Sequence, residues 1–172
     1  FEWAGTTTAE ASTCAQPFRA YGINSVTFVT TLSPVTLGIT CTVWRPNAGP
    51  KAPLIEFDMR LNANINWGSG PVIAPGQYDL ASTILHELGH AAGLAHSCQA
   101  FCTGSEEAAV MYRALQSQVQ KRTLRSDDIT ALTTAYPLSA VTPTPSPTTP
   151  PTATPTLPPL GFSIRAPGIS RD

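Results

Sequence analysis

The residues of this chain with chemistry to offer are His86-Glu87-Leu88-Gly89-His90-Ala91-Ala92-Gly93-Leu94-Ala95-His96. They follow the pattern H-E-x-x-H-x-x-G-x-x-H, and the three histidines of the sequence all lie within it. Three imidazoles at this spacing can hold one zinc ion, each nitrogen about 2.0–2.1 Å away. Three protein ligands leave a fourth position open for water, as in a catalytic rather than a closed structural site. Zinc lowers the pKa of such a water to about 7. Glu87 leaves the helix at a different angle from His86. It can take the proton as the water attacks a carbonyl, then hand it to a leaving amine. The ion would polarise the carbonyl and hold the oxyanion that forms. Together these roles amount to hydrolysis of a peptide bond.

A bare H-E-x-x-H also occurs on ordinary helices; the glycine and the third histidine at fixed offsets make the longer pattern specific. A structural zinc is the alternative use of the same histidines. It would need Cys98 as a fourth ligand, and a thiolate there would block the water position.

The motif needs a helix and then a sharp turn. Asp79 is the expected N-cap, its side-chain oxygen accepting from an orphan N–H of the first turn. Leu80, Ile84, Leu88 and Ala91 recur at helical spacing and are expected to face a core. His86 and His90, four apart, lie one turn apart on one face. Gly93 can adopt φ > 0 and end the helix, so that His96 turns back toward the metal.

The motif is followed by Ser97 and then by Val110-Met111-Tyr112. With the approach Tyr78-Asp79-Leu80 and the later Ser126-Asp127-Asp128-Ile129, it resembles the metzincin clan of zinc endopeptidases. Within that clan the chain is most similar to the matrixins, over roughly residues 18–137. The resemblance implies an α+β fold, a metzincin-like zinc protease domain. Its parts would be a twisted, mostly parallel sheet with an antiparallel edge strand, an active-site helix, a Met-turn and a C-terminal helix. It implies a secreted or extracellular endopeptidase acting on protein or peptide substrates. One catalytic Zn2+ would sit on His86, His90 and His96, with Glu87 as the base. Met111 would lie in the Met-turn as an apolar floor under the histidines; a core methionine filling an irregular gap would occupy the same place. Asp127 or Asp128 would hydrogen-bond toward the Met-turn or the N-terminal arm, unless both serve only as helix caps. In the fold it resembles, the strand just before the active-site helix is the sheet edge that pairs with substrate. Leu54–Leu61 is that strand here, an ordinary edge strand being the alternative.

The chain departs from the animal matrixins in three respects. No histidines remain for a second, structural zinc. Arg113 stands where a proline is common, in the segment lining the pocket for the residue after the scissile bond. No propeptide cysteine switch is present in the sequence. Ca2+ cannot be assigned, because carboxylates are too scattered to name a site.

At 172 residues the chain has room for one domain and a tail. The net charge of −1, with no basic block, argues against nucleic acid and membrane surfaces as partners. No run of about 18 apolar residues argues for membrane insertion. The expectation is a monomer. Charged residues are only 12%, with abundant Thr, Ser, Ala and Pro, which suits an extracellular protein. The sequence opens on Phe1 without a leader, and a chain trimmed of a secretory leader, a propeptide or both is expected. Cys14, Cys41, Cys98 and Cys102 allow three pairings. Cys14–Cys41 and Cys98–Cys102 are favoured, with a free or metal-ligating Cys98 as the rival. An oxidising compartment permits both bridges.

Residues 1–17 are expected to form an N-terminal arm anchored by Trp3, residues 18–140 the catalytic domain, and residues 141–172 a linker or stalk with a short tail. Strands are expected over 23–29, 36–44 and 54–61. In the last of these, Ile55, Phe57, Met59 and Leu61 would face the core and the even positions solvent. Residues 62–76 read as a long loop in which Trp67 packs. Ser126 is the expected cap of a helix that Pro137 ends. Eight of the seventeen prolines fall in 141–160, a composition that stays extended and could tether the domain. Two other functions compete: a non-catalytic surface-displayed module keeping the fold, and a zinc hydrolase acting on another bond. The complete set of ligands and base favours the peptidase. A chain ending at Pro137 is expected to retain peptide cleavage in full. A loss on trimming, measured with a mixed peptide library, would make the stalk part of the enzyme.

Overall fold

Alternating apolar residues from Leu54 onward build a strand that needs neighbours on both sides. A computed structural model describes residues 22–44, 54–98, 102 and 104–137. The chain divides into two units, Phe1–Leu138 and Ser139–Asp172, and every described residue lies in the first. The segments read as arm (1–17) and stalk (141–172) lie outside the described residues.

The elements run β1 (Ser25–Val29), β2 (Gly38–Trp44), β3 (Leu54–Asn62), β4 (Trp67–Gly68), β5 (Tyr78–Asp79), α1 (Leu80–Ala91), α2 (Ser105–Ala108) and α3 (Ser126–Ala135). The main sheet has the order β1-β3-β2. β1 runs parallel to β3, with Ser25 beside Asp58; β2 runs antiparallel to it, with Thr40 beside Met59. β4 and β5 form a separate parallel pair.

β3 is therefore the central strand, and the expectation that Leu54–Leu61 forms the edge is corrected. Among the described residues the edges are β1 and β2, and β2 lies against α1. The expected alternation on β3 holds on one face only. Phe57, Met59 and Leu61 are buried on the face shared with Gly38, Thr40 and Thr42, while Ile55 is exposed. The even positions do not all face solvent: Glu56 and Asp58 are buried and Arg60 is half-buried, and Asn62 at the end of the strand is buried too. The second face is not open to solvent: Glu56 and Asn62 tie neighbouring loops to the strand, and Asp58 ties β1 to it. Glu56 accepts from the Gly22 and Ile23 N–H groups, and Asp58 accepts from the Ser25 hydroxyl. Asn62 donates to the Ser33 and Thr36 carbonyls at 3.0 and 2.8 Å. The loop expected over 62–76 contains β4. It is drawn in by Trp67, whose indole N–H donates to Asn62 O at 2.9 Å.

Asp79 caps α1, its carboxylate accepting from Ser82 N at 3.1 Å. The carboxylate also accepts from the Ser82 hydroxyl and from Arg122, whose Nε and Nη2 lie 2.8 and 2.6 Å away. On α1 itself the predicted apolar stripe is only partly right. Ala91 is buried, but Leu80, Ile84 and Leu88 are half-buried. The deepest face carries Thr83 and Glu87 with Ala91, because β2 packs there and supplies a hydroxyl for the carboxylate. On α3, Ser126 is the first helical residue rather than the cap. Arg125 holds the cap position, and Asp128 accepts its N–H at 2.8 Å.

Burial alone would push the Asp79 carboxyl up, but hydrogen bonds from Arg122 and Ser82 outweigh it and hold the group below the ordinary 3.8. A carboxylate whose folded pKa is depressed stabilises the fold above its unfolded pKa. That contribution fades as pH falls below about 3.8 toward the lower folded value. Asp79→Asn keeps a capping oxygen and removes the charge. Its melting temperature is expected to fall at neutral pH and to approach that of the wild type below that window, as measured by thermal unfolding across pH.

Candidate functional site

Two of the three histidines are aimed by backbone carbonyls. The His86 Nδ1–H donates to Val110 O at 2.8 Å, and the His90 Nδ1–H donates to Leu94 O at 2.8 Å. A carbonyl can only accept, so each Nδ1 carries the proton and each Nε2 keeps its lone pair. Leu94 reaches His90 because the helix stops abruptly. Gly93 has φ 83°, its N–H donates to His90 O at 2.9 Å, and Leu94 N–H donates to Gly89 O at 2.9 Å. That turn brings His96 back, its Nε2 3.2 Å from that of His90.

One potential ligand nitrogen from each of the three rings lies within 4.8 Å of the others. Two nitrogens on a tetrahedral zinc stand roughly 3.3–3.4 Å apart, given bonds of about 2.0–2.1 Å. The donor set and its spacing therefore fit one zinc ion. Burial lowers the pKa of His86 to about 4, against the opposing effect of its bond to Val110. Burial also lowers that of His96, with the neighbouring His90 and Arg113 adding to the effect. Neutral imidazole is the form a metal requires.

Glu87 is almost wholly buried. Its Oε2 accepts from the Thr40 hydroxyl at 2.7 Å. Burial raises its pKa, partly offset by that hydrogen bond and by His90. A carboxyl shifted upward is better suited to hold a proton briefly and pass it on.

Val110 and Met111 form a buried turn beside α1, with Val110 O on His86 and the Met111 sulfur next to Gly89. Asp128 accepts from both of their N–H groups at 2.9 Å as well as from its own helix cap. The two roles proposed for the acidic pair thus fall together on Asp128, and Asp127 takes no part in these bonds. Ser97 N–H donates to Met111 O at 3.0 Å and ties the third histidine's neighbour to the same turn. Cys98 is bonded to Cys102, so its sulfur is no metal ligand. Cys41 is also disulfide-bonded, and its expected partner Cys14 lies outside the described residues.

These groups open on a cleft of about 870 Å³. β2 forms one wall with Gly38, Ile39, Thr40 and Thr42, and the chain after the turn forms another with Tyr112, Arg113 and Leu115. Lys121 also lines it, its ammonium 4.5 Å from the Tyr112 ring centroid. Three contributors had no role in the motif reading: Gly38, Thr40 and Gly89. Only Gly89 left a signal, since glycine inside a helix costs roughly 1 kcal/mol and implies a packing reason. A Cβ there would stand 2.1 Å from the Met111 sulfur. Gly89→Ala is expected to destabilise the fold by about 1–3 kcal/mol through overpacking, despite alanine's better helix propensity. It should also weaken metal binding, because Val110 next to Met111 orients His86. Thermal unfolding with a zinc titration checks this, and unchanged metal affinity would separate the turn from the site.

The sequence profile of the matrixin family matches residues 43–137, more than half of the 172-residue chain. No curated protein and no solved structure matches the chain.

Proposed function

The chain belongs to the matrixin family of metallopeptidases, and from that premise we propose that it is a secreted endopeptidase working with one zinc ion. The observation that carries the proposal is the convergence of His86, His90 and His96, two of them fixed by carbonyl acceptors in the tautomer that frees Nε2. Zinc, when bound, supplies a Lewis acid that acidifies water and polarises a carbonyl oxygen. Glu87 takes the proton from the attacking water and delivers it to the departing amine. Its burial on the wall of the cleft supports that role. β2 has no strand partner on its outer side among the described residues. Its backbone can therefore take an extended peptide as an added strand, holding the scissile bond along the cleft. Arg113 and Leu115 on the opposite wall would meet side chains beside that bond. Disulfide bonding at Cys41, Cys98 and Cys102 suits an oxidising compartment and supports secretion.

Glu87→Gln is expected to retain one zinc per chain and to lose cleavage by roughly 10²–10⁴-fold, the usual contribution of a general base. Alanine at His86, His90 or His96 is expected to lose the metal. Zinc content per chain, paired with cleavage of a mixed peptide library, measures both. Near-normal turnover by the glutamine variant would remove Glu87 as the base, and a histidine variant with full metal content would remove that ligand.

A further inference from the structure

We infer that the edge strand β2 positions the base: the Thr40 hydroxyl and the side-chain-free Gly38 hold the Glu87 carboxylate in place. The inference rests on the reading of Glu87 given above and makes Thr40 and Gly38 positioning residues for that reaction. Both lie outside residues 43–137, which the family profile matches, and are read from the fold alone.

The carboxylate is held from two sides. Thr40 Oγ1 donates to Glu87 Oε2 at 2.7 Å, and the Glu87 backbone carbonyl lies 3.1 Å from the same hydroxyl. A hydroxyl has one proton and two acceptors within reach. One acceptor is the carboxylate and the other the helix backbone, so the hydroxyl is anchored to α1 at both. On the other side, a Cβ on Gly38 would stand 2.9 Å from Oε1 and 3.1 Å from Cγ of Glu87. Only glycine lets the strand come this close without displacing the carboxylate. Gly38 and Thr40 share one face of β2, and their partners across the ladder, Leu61 and Met59, are fully buried. The pair is therefore backed by the tightest part of the core. The strand proposed above to carry the substrate, β2, is also the strand that fixes the base, so docking and proton transfer share one element.

The test uses kcat, KM and zinc content on a peptide that the wild type cleaves. Thr40→Val is expected to lower kcat by roughly 10- to 100-fold, the worth of a hydrogen bond to a charged group. KM and zinc content should stay near the wild-type values. Thr40→Ser should restore most of kcat, since it keeps the hydroxyl. Gly38→Ala should lower kcat with Thr40 intact, and it carries the test if Thr40→Val fails to fold. In urea unfolding, Thr40→Val and Glu87→Ala are expected to be non-additive, as contacting residues are. Unchanged kcat in Thr40→Val, failure of serine to rescue, or additive destabilisation would overturn the inference while leaving the peptidase reading intact. A wild type that cleaves no peptide would overturn that reading and this inference with it.

Discussion

Three nitrogen lone pairs cannot be brought together without a framework that keeps them from turning apart. In this protein a potential ligand nitrogen of each histidine lies within 4.8 Å of the other two. The framework is backbone. Val110 O and Leu94 O each take an Nδ1 proton, and each belongs to a segment outside the helix that bears the ring. The site is therefore only as well formed as the chain between Gly93 and Tyr112. That stretch contains a positive-φ glycine at the helix end, the Cys98–Cys102 bridge and the buried Val110-Met111 turn.

The rest of the described unit grips that stretch and its helix. α1 has 12 residues, a length at which an isolated helix is marginal in water. Its start is held by Asp79, which Arg122 and Ser82 bind at once. Its end is held by Tyr136, whose hydroxyl donates to Ala92 O at 2.7 Å. Asp128, fully buried on α3, accepts the two N–H groups of the turn on which His86 depends. Residues far along the chain thus stabilise the helix at both ends and the turn beneath it. A buried carboxylate with three backbone donors is costly to disturb, because each donor would be left unpaired away from water.

β2 gives the cleft its other wall. At an edge of the sheet among the described residues, it leaves one row of backbone groups without a strand partner and turns the opposite row to the central strand β3. A strand in that position is rigid on one side and available on the other, which suits recognition of an extended peptide. Its small and hydroxylated residues, Gly38, Thr40 and Thr42, leave room beside Glu87 that larger side chains would fill.

Local spacing picked out His86, His90 and His96, which the fold brings together, the helix that carries the first two, and the Asp79 cap. Periodicity, capping and the need for φ > 0 at Gly93 act over a few residues. Spacing also marked Phe57, Met59 and Leu61 as core. It placed Glu56 and Asp58 in solvent, because alternation says which residues share a face but not what covers it, and the family resemblance placed Leu54–Leu61 at the edge. Strand order and loop docking decided those points. The closeness of Gly38 and Thr40 to Glu87 spans 47 residues in the case of Thr40, and no local pattern encodes it. So the residue types and the turn chemistry that make a three-histidine site were set by sequence alone. Which strand faces the base, and which carboxylate holds the turn, were decided only when distant segments packed together.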